Sequence, residues 1–283
     1  MIVAPTIIAF REGLEAALVI AILLSYVRRT GRSGLRRAVL GGAAVAIAAS
    51  VVVSLIMGLV WGIFEGTALA VFEGIVVLVA AFLLTTMILW MWRAGARIST
   101  KIEERAEESV TGTRGLGLAM LSIALVLREG VELALFNMAL VIQEGYQVYL
   151  GTALGLLIAT AIGVAIYKGS LGVSLGALFK WTSLFLVLFA AGMVAYGIHE
   201  LQEAGLLLIG PAEIWNLNPP QLPDGSYPLL HERGAIGALL KALFGYNGNP
   251  SALEVVGYVA YLVLIAAYYF AAVRRKSTEP PPH

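Results

Sequence analysis

Two charged pentapeptides stand inside apolar stretches of this chain, Arg11-Glu12-Gly13-Leu14-Glu15 and Arg128-Glu129-Gly130-Val131-Glu132. An ionised side chain at the centre of a bilayer costs about 2.5–3.5 kcal/mol on insertion scales, so a repeated charged motif there needs a chemical reason. On a helix, Glu12 and Glu15 share one face, as do Glu129 and Glu132. Arg11 and Glu15, and Arg128 and Glu132, are four residues apart and can pair. The glycine between the carboxylates lets another backbone approach closely. Two such helices meeting would offer four carboxylates and two guanidinium groups, a net charge of minus two when all are ionised. A buried excess of negative charge is stable only when protons or a metal cation occupy it. Hard oxygen ligands suit iron(III), manganese, magnesium or calcium better than copper(I). The competing reading is an ion-pair clamp between helices, which would need balanced charge.

Other residues offer weaker chemistry. His199-Glu200-Leu201-Gln202-Glu203 resembles the start of a zinc-protease helix, but Glu203 stands where the closing histidine would be. His199, Glu200 and Glu203 are read as a secondary metal site at the way in, or else as an interfacial helix end, and Glu73 carries the same two readings. Met87 and Met91 lie one turn apart, as a packing stripe or the wall of a metal path. Asn137 is placed to line the path or to bond between helices. There are no cysteines and only three histidines, which excludes disulfides, thiolate zinc, iron–sulfur clusters and a histidine-rich site. Neither the His-Glu-x-x-His of a zinc protease nor the Glu-x-x-His pairs of a di-iron bundle occur. The expectation is a protein that is not an enzyme and carries no organic cofactor.

The elements that position these residues follow from hydropathy. The chain has 283 residues and only 13% are charged, against about 25% in soluble domains. Apolar runs of twenty residues follow one another, the mark of an all-α integral membrane protein. Seven spans are predicted, at about 5–27, 38–64, 69–92, 116–142, 148–167, 181–201 and 253–273, in one transmembrane domain covering 1–273. No basic region precedes the first run, so no cleavable signal is read. Residues 93–114 are the most hydrophilic stretch and read as a cytoplasmic solvated helix or loop with i,i+4 ion pairs. Residues 204–250 hold apolar patches too short to span and are expected to fold onto the outer surface. The tail, 274–283, reads as disordered.

Orientation follows from the basic residues. With the N-terminus outside and the C-terminus inside, fifteen of the nineteen lysines and arginines fall in cytoplasmic loops or the tail. The opposite orientation would put fifteen outside. Acids at 65, 144, 213, 224, 232 and 254 then face outward, either as a cation-gathering rim or because acids are merely tolerated there. Repeat 1 is about 1–92 and repeat 2 about 115–203. An odd number of spans in each makes the repeat inverted, a form common in secondary transporters with sites near the midplane. Both pentapeptides come to one depth in antiparallel spans. The seventh span has no counterpart. Glycines at 58/62, 151/155 and 172/176 have GxxxG spacing, a sign of close packing that leaves a homo-oligomer open.

The paired motifs in spans one and four, with Phe72-Glu73-Gly74 and His199 to Gly205, resemble the high-affinity iron permeases: the fungal permease that works with a multicopper ferroxidase, and its bacterial counterparts. The similarity covers nearly the whole chain. It implies iron, ferric or ferrous, carried into the cytoplasm across the plasma or inner membrane. It implies Glu12, Glu15, Glu129 and Glu132 as iron ligands, with Arg11 and Arg128 in the motifs. Family partners oxidise or deliver iron outside the membrane, and here such a ferroxidase or delivery protein would be a separate chain. The bilayer is the other partner, and nothing points to nucleic acid. From the residues alone, two alternatives stay open: a permease for another hard divalent ion such as manganese, and a proton-coupled transporter using the same glutamates.

Overall fold

The computed structural model describes residues 2–94, 98–109, 115–169, 175–222 and 225–278. These residues form helices and connections, with no strand among them. The helices are α1 (Val3–Arg29), α2 (Arg36–Trp61), α3 (Gly66–Ala94), α4 (Ile98–Ser109), α5 (Leu116–Glu144), α6 (Val148–Tyr167), α7 (Leu175–Glu203), α8 (Ala235–Phe244) and α9 (Ala252–Thr278). Five segments are long and apolar enough to cross a bilayer: Arg36–Trp61, Gly66–Trp92, Val148–Tyr167, Trp181–Glu203 and Ala252–Ala271. The other two long helices, α1 and α5, carry the pentapeptides, whose charges lower their hydropathy. At 27 and 29 residues they are still about 40 Å long at 1.5 Å per residue.

The chain divides into two compact units, and the first comprises residues 1–65 and 86–183. Here α1 packs along α6, α2 along α5, and α1 against α5. Small residues allow this. A Cβ on Gly155 of α6 would collide with the Thr6 carbonyl of α1 and lie 2.7 Å from the Phe10 nitrogen. A Cβ on Gly42 of α2 would meet Ser122 of α5 at 3.1 Å. Gly151 and Gly155 thus serve packing within the chain, whereas nothing lies within 4 Å of Gly58. Gly172 lies outside the described residues. Polar bonds also cross between helices: Ser122 Oγ of α5 donates to the Val39 carbonyl of α2 at 2.9 Å, and Thr152 Oγ1 of α6 donates to Asn137 Oδ1 of α5 at 2.7 Å. Asn137 therefore bonds between helices.

Helix α4 is amphipathic, with Ile102 and Ala106 buried against a core that includes Val27 of α1 and Leu118 of α5. Glu103 reaches across to Arg29 of α1, 2.5 Å away. The expected solvated stretch is thus a helix that docks by one face, because its apolar residues recur at helical spacing. Arg97 and Arg114, in the same stretch, lie outside the described residues.

The second unit comprises residues 66–85 and 184–283. Gly74 of α3 backs on Leu201 and Glu200 of α7, and Gly257 of α9 on Ile198 of α7. Thr85 Oγ1 and Tyr261 Oη share a hydrogen bond of 2.8 Å. The connection before α9 is tied by Glu232, which accepts from Lys241 Nζ at 2.6 Å, Asn218 Nδ2 at 2.9 Å and the Gly248 N–H at 3.0 Å. Helix α9 continues to Thr278. Residues 279–283 lie outside the described residues.

Candidate metal centre

The centre is built in the first unit where α1 meets α5. Each helix delivers its carboxylates from its middle: Glu15 is twelve residues beyond the start of α1, and Glu132 twelve before the end of α5. The motif glycines let other helices pass at this level. A Cβ on Gly13 would lie 2.8 Å from Leu156 Cδ2 of α6, and one on Gly130 would run into Ser50 of α2. Each pentapeptide is thus pinned by a different neighbour, and its side chains are left to face the partner motif.

Glu12, Glu129 and Glu132 each place a carboxylate oxygen within 4.8 Å of the others. Glu12 is 1% exposed and Glu129 6%. Both oxygens of Glu12 and Oε2 of Glu129 are buried without a hydrogen-bond partner. Buried polar atoms are ordinarily satisfied, and a carboxylate oxygen can only be satisfied by a donor, a proton or a cation. Three converging acids with unsatisfied oxygens fit a hard cation held by oxygen. Glu15 stands outside the group of three, with Oε1 3.5 Å from Arg11 Nε.

The two arginines differ sharply. Arg11 is fully buried; its Nη2 donates to the Met91 sulfur, while Nε and Nη1 have no hydrogen-bond partner. Arg128 is half exposed, 2.8 Å from Glu132 and 3.8 Å from Glu129. Its guanidinium carbon lies 6.0 Å from the centre of the Trp90 ring. Spacing in the sequence makes the two arginines equivalent. Which neighbour each one meets depends on α3, whose last turns belong to this unit.

A family model described as the Iron permease FTR1 family matches residues 2–278. This chain belongs to the iron permease FTR1 family. It is 34% identical over 276 residues to the ferrous iron permease EfeU of Yersinia pestis, covering 95% of this chain and 94% of that relative. It is 33% identical over 262 residues to the ferrous iron permease EfeU of Escherichia coli O6:K15:H31, covering 92% of each. No solved structure matches the chain. The family is one of permeases, not enzymes, and with the apolar helices it makes this chain a multi-pass membrane protein of iron transport.

The FTR1-family chain keeps its second set of candidates in the second unit. His199 stands between two acids on its own and a neighbouring helix: Nδ1 is 3.0 Å from Glu254 and Nε2 3.4 Å from Glu203. Glu200 is buried, and Glu73 sits beside Gly74 where α3 meets Glu200. Among the described residues, this set does not bring three ligand atoms as close together as the first centre does. Glu254, 2% exposed, is a neighbour of His199 that sequence reasoning did not pair with it. Its signal was legible: Ser251-Ala252-Leu253-Glu254 is a capping box. Ser251 Oγ accepts the Glu254 N–H at 3.2 Å and Glu254 Oε1 accepts the Ser251 N–H at 3.1 Å. Asn247 Nδ2 also donates to Glu254 Oε2 at 2.7 Å.

Proposed function

We propose that this protein imports iron into the cytoplasm through the carboxylate centre of α1 and α5, with Glu12, Glu129 and Glu132 as the cation's ligands and Glu15 joining when Arg11 releases it. The observation that carries this reading is the set of buried carboxylate oxygens that have no hydrogen-bond partner and lie within 4.8 Å of one another. A helix clamp would pair its acids with its bases. Here the arginines pair with Glu15 and Glu132, and the two further acids leave both oxygens of Glu12 and Oε2 of Glu129 without a hydrogen-bond partner. The ferrous iron permease relatives make iron the first cation to test.

The same proposal takes α1, α2, α3, α5, α6, α7 and α9 as seven spans, N-terminus outside and C-terminus inside, in the bacterial inner membrane. Helices α1 and α5 join the count because they exceed the roughly 30 Å hydrocarbon core. An inverted repeat is supported by the packing. Exchanging α1 with α5 and α2 with α6 turns the α1–α6 pairing into the α5–α2 pairing, and both are extensive. It also exchanges Gly13 against α6 with Gly130 against α2. Alternating exposure of the centre then requires rocking of one repeat against the other. His199, Glu200, Glu203 and Glu73 serve as an outer relay, and a separate ferroxidase or delivery protein supplies the ion.

The test is radiolabelled iron accumulation in cells lacking their own uptake systems. Intact protein should drive uptake, and Glu129→Gln and Glu132→Gln should lose it at normal membrane level. Normal transport by both variants would reduce the pentapeptides to clamps. Manganese that competes fully with iron, and is itself accumulated, would favour the general divalent reading.

A further inference from the structure

The connection between α7 and α9 reaches deeper than a surface loop would. Helix α9 runs back along α7 from its Glu203 end: Ser251 Oγ donates to Gln202 Oε1 at 2.6 Å, Glu254 meets His199 at 3.0 Å, and Gly257 backs on Ile198. Ser251 therefore marks the level of the Glu203 end. Gly245, six residues earlier, packs instead on Gly192, and a Cβ on either would run into the Cα of the other. Gly192 is eleven residues from both ends of the segment Trp181–Glu203, about 16 Å from each at 1.5 Å per residue. In a span, that is the middle of a hydrocarbon core roughly 30 Å thick. The six residues from Gly245 to Ser251 cover about 20 Å when extended, enough to climb back.

Helix α8 supplies the descent. Its start is held towards the Glu203 end, because Asn218 Nδ2 reaches both Glu232 Oε1 at 2.9 Å and Asn249 Oδ1 at 3.0 Å, and Asn249 is two residues from Ser251. The ten residues of α8 are about 15 Å long, which matches the drop. A helix end inside a membrane must satisfy its carbonyls without water. Gly245 takes φ 67°, its N–H donates to the Lys241 carbonyl at 3.0 Å, and the Tyr246 N–H donates to the Leu240 carbonyl at 3.4 Å. Lys241 Nζ turns back along the helix to Glu232, 2.6 Å away, as a cation below the interface snorkels. Leu240 and Phe244, one turn apart, line a cavity with Ala195, Val255 and Tyr258. Ile236 and Leu239, on the adjoining stripe, are 44% and 46% exposed.

We propose that residues 235–250 form a re-entrant hairpin: α8 enters the membrane beside α7, turns at Gly245 near mid-depth and returns to the same face, and Ile236 and Leu239 lie against lipid acyl chains. Depth names the occupant. A face between the level of Ser251 and the middle of α7 meets hydrocarbon wherever protein does not cover it. The irregular backbone at the turn is tolerated there because it is packed on α7. The return limb has a task at that depth. Asn247 Nδ2 donates to Glu254 Oε2 at 2.7 Å, beside the bonds that Glu254 Oε1 makes to His199 and to the Ser251 N–H. A carboxylate in a membrane needs such partners, and the hairpin supplies one of them. The inference rests on α7 and α9 as spans, part of the reading given above, and not on the identity of the ion.

The sequence has no cysteine, so single introduced thiols report one position each. Ile236→Cys and Leu239→Cys are compared with Glu213→Cys in the connection and Val263→Cys on α9, where Val263 is 60% exposed. All four sites are exposed, so each tolerates a small fluorophore on the purified full chain in phosphatidylethanolamine–phosphatidylglycerol vesicles. Nitroxides placed along the acyl chains read depth, and iodide reads access from water. Counted from Gly245, the labels at 239 and 236 should lie about 9 Å and about 14 Å from the bilayer centre. The deeper one should be quenched by acyl-chain nitroxide as the label at 263 is and be shielded from iodide, and the label at 213 should do the reverse. Labels at 239 and 236 that iodide quenches as it does the one at 213, beyond about 15 Å from the centre, overturn the hairpin and return α8 to the surface. So does a label at 239 shallower than that at 236, which would mean that α8 does not descend. A shallow label at 263 sinks α9 as a span, and the hairpin with it. A deep label at 263 with shallow ones at 236 and 239 sinks the hairpin alone.

Discussion

Replacing Glu12 with glutamine should make the protein more stable and less able to carry its cation. Glu12 is 1% exposed and its two oxygens have no hydrogen-bond partner. Glu129 and Glu132 each bring an oxygen within 4.8 Å. At that distance and an effective dielectric of about 20, two ionised carboxylates repel by about 3 kcal/mol. Two neighbours double this, and the adjoining Arg11 offsets a comparable fraction of the sum. Glu12→Gln removes the charge at nearly constant volume, so a net gain of about 1–3 kcal/mol follows. For a chain of this size that is an increase in Tm of about 2–6 °C. The same charge is what a divalent ion binds. Losing one of three ligating charges should weaken cation affinity by at least about 100-fold, or about 2.7 kcal/mol. The assay is thermal unfolding of the detergent-solubilised protein with and without iron(II) or manganese(II). Intact protein should show a lower Tm alone and a rise of about 5 °C with ion at about 100 times its Kd. Glu12→Gln should start higher and show no rise. A variant that unfolds earlier than intact protein and still responds to the ion would refute the placement of Glu12 among ligands and the mutual repulsion of the acid cluster.

Three further outcomes follow from particular residues. Gly155→Leu should abolish membrane accumulation of the protein, since its Cβ would strike the Thr6 carbonyl and the Phe10 nitrogen, whereas Gly58→Ala, in open space, should leave accumulation unchanged; immunoblots of membrane fractions decide. Ser251→Ala removes the N-cap of α9 and should cost about 1 kcal/mol, read as a Tm lower by about 2 °C. Glu232 should make the connection before α9 acid-sensitive. Burial alone would push its carboxyl up, but the Lys241 ammonium, the Gly248 N–H and Asn218 hold it below its ordinary 4.5. A depressed carboxyl stabilises above the unfolded pKa and loses that stability as pH falls through the folded one, so amide protection (exchange corrected for its intrinsic pH dependence) in the described residues of this connection should hold at pH 5 and fall as pH drops below the ordinary carboxylate value. Glu232→Gln should flatten this response, and an unchanged profile would remove Glu232 from the explanation.

Much of this molecule could be read before its fold. Hydropathy located the long helices to within a few residues, and span 148–167 coincides with α6. Helical periodicity alone put Arg128 beside Glu132 and Arg11 beside Glu15, because residues four apart share a face whatever surrounds them. The doubled motif also announced a buried acid excess, since charge is a property of composition. Other features are not written locally. Glu12 and Glu15 are equivalent by spacing, yet Glu12 joins Glu129 and Glu132 while Glu15 stays with Arg11. That choice depends on how far α1 and α5 are rotated about their axes, and the passage of α6 over Gly13 and of α2 over Gly130 sets the rotation. The two arginines are likewise equal in sequence, but only one meets a sulfur and the other a ring, because α3, remote from either motif in sequence, supplies both. Glu254 shows both sides at once: its capping box is a local pattern, while its bond to His199 exists only because α9 packs on α7. Composition and period therefore determined which helices form and what charge they carry. Packing of small residues at the crossings decided which carboxylates face one another.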